Sequence, residues 1–124
     1  MTHEMMIKSL SDMLEGNETL MYPLYGTLQM DDRNIFGFFG LTHRYLLIAV
    51  LDYGFQTINS TRRIPLKLKE VKVKRTLIPS QRKIHIEFSK GGNPCVIRVS
   101  KKPQGFPNQA ENLAGFIEFL QNKI

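Results

Sequence analysis

The side chains of this 124-residue sequence whose types could carry catalysis are three histidines, His3, His43 and His85, one cysteine, Cys95, and the adjacent carboxylates Asp31 and Asp32. No histidine stands at metal-ligand spacing from Cys95 or from another histidine. Cys95 opens an alternating run with Ile97 and Val99, on the apolar side, where a thiol serves as a small core residue and not as a nucleophile. Asp31 and Asp32 sit in a polar turn, and adjacent carboxylates there solvate the hairpin tip. There is no phosphate-cradling glycine loop, dinucleotide fingerprint or nucleophile elbow. The expectation is a non-enzyme with no metal, no cofactor and no small-molecule substrate.

Charge points to a different chemistry. The formal net charge is +6, and residues 62–102 hold thirteen basic side chains against only Glu70 and Glu87. Residues 1–61 are net acidic, so the positive field is local. Arg62 and Arg63 precede one strand end, Lys67 and Lys69 lie in the turn after it, and Lys72 and Lys74 alternate on the next strand. Residues two apart on a strand share a face about 7 Å apart, so Lys72 and Lys74 begin a positive strip that Arg82 and Lys83 could extend. Arg62, Arg63, Lys67, Lys69, Lys72 and Lys74 are the candidate binding set. Such a field favours an anionic lipid surface, an acidic protein partner or nucleic acid; its bland counterpart is a solvated face that keeps the protein soluble. Bases in single strands stack on exposed aromatics. Here Tyr22, Tyr25, Phe36, Phe38, Phe39 and Tyr45 cluster away from the basic stretch and read mostly as core, which places nucleic acid behind the other partners.

The elements that must position these side chains are mainly strands. Residues 3–15 read as a short amphipathic helix, with Met6, Leu10, Met13 and Leu14 on one face, Thr2 as its cap and Gly16 at its end. Strands are expected over 20–30, 35–42, 45–51, 58–66, 70–77, 83–88 and 95–100. Asp31–Asn34, Asp52-Tyr53-Gly54 and Gly91-Gly92-Asn93 supply turns. Val71, Val73 and Leu77 are expected on the apolar face of their strand, opposite Glu70, Lys72 and Lys74. After a Pro/Gly linker over 101–107, Asn108 and Glu111 have capping-box spacing. Leu113, Phe116, Ile117, Leu120 and Ile124 then form one apolar helical stripe. Short strands at even spacing followed by a terminal amphipathic helix imply an antiparallel barrel of about seven strands closed by that helix.

Gly40-Leu41-Thr42-His43-Arg44-Tyr45-Leu46-Leu47-Ile48 resembles the signature of bacterial pleckstrin-homology (PH) domains, where a glycine-containing strand meets a Thr-x-Arg turn and an apolar run. Ile64-Pro65-Leu66 followed by Val71 resembles the next strand pair, and Gly16-Asn17-Glu18 is similar to the family's lead into strand one. The likeness is nearest to small stand-alone proteins of the YokE-like kind. It implies a mainly β, PH-like barrel with a C-terminal α-helix over 17–124, preceded by a short helical extension over 1–16. Thr42 has a local role in satisfying turn backbone, and Arg44 one in pairing with a carboxylate at the barrel rim. His43 departs from the family pattern. Asp31 and Asp32 stand where phosphoinositide-binding relatives carry cations, so that inositol phosphate pocket is not implied.

Together these features predict a binding module contacting an anionic surface, membrane or protein, through a basic strand face; homo-oligomerisation is a further expectation. The single cysteine rules out an internal disulfide and suits a reducing cytoplasm. The start lacks a signal peptide's pattern, and Ile35–Leu51 is interrupted by Thr42, His43 and Arg44. The expected location is cytoplasmic, with membrane contact only peripheral.

Overall fold

A computed structural model describes residues 2–30, 32–52, 54–91, 93–103 and 105–124. Asp31, Tyr53 and Gly92 lie outside the described residues, so the turns expected at those three positions are not described further. The chain runs α1 (His3–Ser11), β1 (Met21–Met30), β2 (Arg33–Leu41), β3 (Tyr45–Leu51), β4 (Ile58–Pro65), β5 (Leu68–Arg75), β6 (Gln81–Phe88), β7 (Cys95–Ser100) and α2 (Gln109–Gln121). The strands form one antiparallel sheet in the order β4-β3-β2-β1-β7-β6-β5. The two end strands do not pair with each other, so the curled sheet stays open between β4 and β5.

Its inner face carries the principal core. Leu24, Leu28, Phe39 and Ile48 from one half meet Ile84, Ile86, Ile97 and Val99 from the other. Leu113, Phe116 and Leu120 of α2 close one side of this core, as the helical spacing requires. The α2 stripe stops there: the helix ends at Gln121, and Ile124 is exposed instead of continuing it. Asn108 makes no side-chain cap, so the expected capping box is absent. Gln109 is the working polar residue at this end. Its buried amide accepts from Tyr25 N at 2.9 Å and donates to Tyr25 O and Ser100 O at 2.6 and 3.0 Å.

A second apolar cluster lies on the outer side of β2 and β3, where Phe38, Leu47 and Ala49 pack under Met6 and Leu10 of α1. This explains the uninterrupted apolar run Tyr45–Leu51: with α1 on one face and the barrel on the other, β3 has no wet side. Thr2 caps α1, accepting from Met5 N at 3.1 Å. Thr42 acts locally as expected, its Oγ1 accepting from Arg44 N and Tyr45 N at 3.2 and 2.9 Å. Arg44 is exposed and, among the described residues, pairs with no carboxylate; its carbonyl accepts from Leu66 N instead. No described helix is long and apolar enough to cross a membrane.

Candidate anionic-surface site on the outer face of β5–β7

The six candidate cations do not form one strip. Arg62 and Arg63 are neighbours on β4, so their side chains leave opposite faces of the sheet. Arg63 stands opposite Leu47, on the face that α1 covers. Its Nη1 and Nη2 donate to the Glu18 carboxylate at 2.7 and 2.8 Å, and Nη1 also donates to Met13 O. The guanidinium lies 4.3 Å from the Tyr45 ring centroid. These hydrogen bonds hold the Glu18 carboxyl down to about 2. Arg63 joins the α1–β1 segment to β4 and lies apart from the outer face of β5–β7. Arg62 stands opposite Ile48 on the inner face, with Nη1 3.3 Å from Met30 Sδ. There it borders an open cleft of about 1050 Å3 whose floor includes Leu28, Ile35 and Val50.

Lys67 lies in the exposed β4–β5 connection, its carbonyl accepting from Ser89 N at 2.8 Å. Lys69 falls at a register shift between Leu68 and Glu70. From there β5 alternates as expected, with Val71 and Val73 packed on the core and Glu70, Lys72 and Lys74 outward. Leu77 does not continue that apolar face. It lies past the end of β5 and is fully exposed.

Strand register decides which cations meet. Across the β5–β6 ladder Glu70 faces Glu87, Lys72 faces His85 and Lys74 faces Lys83. Lys72 Nζ is 3.4 Å from Glu70, which is thus ion-paired on its own strand, and His85 Nε2 is 3.3 Å from Glu87, within polar contact. The next row is different. Lys83 also faces Arg98 of β7, and Arg98 faces Thr27 of β1. Lys74, Lys83 and Arg98 thus stand on adjacent strands about 4.8 Å apart, three cations abreast. Among the described residues none of the three makes an ion pair. Arg75 faces Arg82 one position further on. Charge is therefore separated along the ladder, with the carboxylates Glu70 and Glu87 at one end and only cations towards the β5–β6 turn.

Of the sequence candidates, the structure brings Lys72 and Lys74 together on this face and leaves Arg62 and Arg63 elsewhere. Arg98 was missed. It alternates outward with Val96, but only the β6–β7 register shows that it meets Lys83. The possible catalytic groups do not converge: His3 is on α1, His43 in the β2–β3 turn, His85 on β6 and Cys95 buried. Among the described residues no group of three or more His, Cys, Asp or Glu is placed to hold a metal ion.

No protein-family model and no curated protein matches the sequence. Solved structures do match in fold. The C-terminal domain of an unknown protein from Leishmania infantum superposes with a TM-score of 0.59 at 12% identity, covering 92% of this chain and 93% of that one. The hSac2 domain of the human phosphoinositide phosphatase Sac2 gives 0.58 at 14%, covering 98% and 84%. The N-terminal PH domain of Vps36 gives 0.55 at 16%, covering 89% and 84%. These likenesses, joined to the open seven-stranded sheet and its closing helix, give the chain a PH-like fold.

Proposed function

We propose that the protein is a non-enzymatic binding module that attaches reversibly to an anionic membrane surface through the outer face of β5, β6 and β7. The observation that carries this reading is the row Lys74–Lys83–Arg98. Like charges directly opposite across a sheet oppose folding. Among the described residues the three make no ion pair, and an anion that neutralises the row on binding would account for it. A cation near an anionic lipid surface contributes about 1 kcal/mol, screened by salt. The three together give attachment that is useful and reversible.

The motif from Gly40 to Ile48 supports grouping the chain with bacterial PH proteins of the YokE-like kind, and its single cysteine supports a cytoplasmic site of action. Assembly through strand edges is the weaker reading. The end strand β4 carries Pro65, and the end strand β5 carries a register shift and three lysines, both features that discourage edge pairing.

Sedimentation with phosphatidylserine-containing vesicles tests the proposal. The wild type is expected to pellet with them, to stay in solution with neutral vesicles and to be released by salt. A Lys74→Ala/Lys83→Ala/Arg98→Ala variant is expected to bind on the order of 100-fold more weakly, at about 1 kcal/mol per cation removed. A wild type that ignores anionic vesicles overturns the reading.

A further inference from the structure

The β5–β6 turn, residues 76–80, presents two adjacent exposed apolar side chains. Leu77 is 102% exposed and Ile78 56% exposed. The turn is built to keep them outward. The Thr76 hydroxyl accepts from Ile78 N at 3.2 Å and lies 2.9 Å from Gln81 Oε1. Gln81 N donates to Ile78 O at 3.0 Å. Arg82 Nη1 donates to Pro79 O and Gln81 O, each at 2.9 Å, and Lys101 N donates to Ser80 O at 2.7 Å.

Cations surround this tip. Arg75 and Arg82 face each other at its base, Lys74 and Lys83 form the row behind, and Lys101 and Lys102 follow the contact at Ser80. Residues 71–86 and 88–110 contain no aspartate or glutamate. Two convex apolar side chains inside a cationic collar match an anionic bilayer: acyl chains take the tip and headgroups take the collar. Arg75 ends β5 two residues before Leu77, so the cations at the base of the turn stand next to the tip. An acidic protein would complement the collar, but it would also need a pocket shaped for the tip; a bilayer needs none.

We infer that Leu77 and Ile78 form a tip that inserts into anionic bilayers while the surrounding cations hold the headgroups. This deepens the membrane-surface reading above and rests on it. The sequence has no tryptophan, so Leu77→Trp makes a single reporter at the tip. With phosphatidylserine vesicles its emission is expected to shift to the blue and to be quenched by brominated acyl chains. A Leu77→Ser/Ile78→Ser variant, with every charge kept, is expected to bind the same vesicles about tenfold more weakly. Co-sedimentation with emission unchanged from water, or undiminished binding by the serine variant, overturns insertion and leaves surface attachment standing. Absence of co-sedimentation by the wild type overturns both.

Discussion

At the scale of single residues, the Arg62-Arg63 doublet has two separate fates. One side chain must face the barrel and the other the outside, and the outside of β4 near Leu47 is where α1 lies. Glu18 meets Arg63 there through two hydrogen bonds. The folded state holds the Glu18 carboxyl at about 2, below its ordinary value of 4.5. Protons therefore bind the unfolded chain first as pH falls. The pair stabilises the fold fully above about pH 4.5, and that contribution is lost progressively as pH falls towards 2. Urea midpoints measured at neutral pH and near pH 3 should fall more steeply for the wild type than for Glu18→Gln. Equal slopes would mean the ion pair does not couple α1 to β4. Arg63→Ala should lower stability at neutral pH and leave vesicle binding unchanged, separating the clamp from the cationic face.

At the scale of elements, α2 is seated by a close fit as well as by its apolar stripe. A Cβ built at Gly115 would lie 2.2 Å from the Tyr22 ring, and Tyr22 has φ +52° within the β1 irregularity between Met21 and Leu24. Alanine in a helix interior normally gains up to about 1 kcal/mol over glycine. Here Gly115→Ala should instead destabilise by about 1–3 kcal/mol through overpacking, read from a urea melt; a gain in stability would place the ring elsewhere. The elements were largely legible because alternation and helical spacing follow from which faces are dry. Val71 and Val73 against Lys72 and Lys74 fix β5, and Leu113, Phe116 and Leu120 fix α2. Leu77 misled because period-2 patterning cannot show where pairing ends: the ladder stops at Arg75 and Arg82. Gln109 was invisible because its partners are main-chain groups 84 and 9 residues away. Arg98 needed the β6–β7 register, which alternation does not supply.

At the scale of the whole molecule, the net charge of +6 is less informative than its arrangement. The carboxylates of β5 and β6 lie at one end of their ladder beside Lys72 and His85, and the other end is cationic up to an apolar tip. The charge of the module is thereby polarised, and on the proposed reading membrane attachment is expected at the end bearing the β5–β6 turn, with Lys67, Lys69 and Lys90 at the opposite end expected to contribute little. The most direct measurement compares two charge-matched triple variants, Lys74→Glu/Lys83→Glu/Arg98→Glu and Lys67→Glu/Lys69→Glu/Lys90→Glu. Each lowers the formal net charge from +6 to zero, so non-specific attraction changes equally. In sedimentation with phosphatidylserine vesicles the first should lose binding and the second should keep most of it. Equal loss by both would mean that overall charge, and not the β5–β7 face, governs attachment.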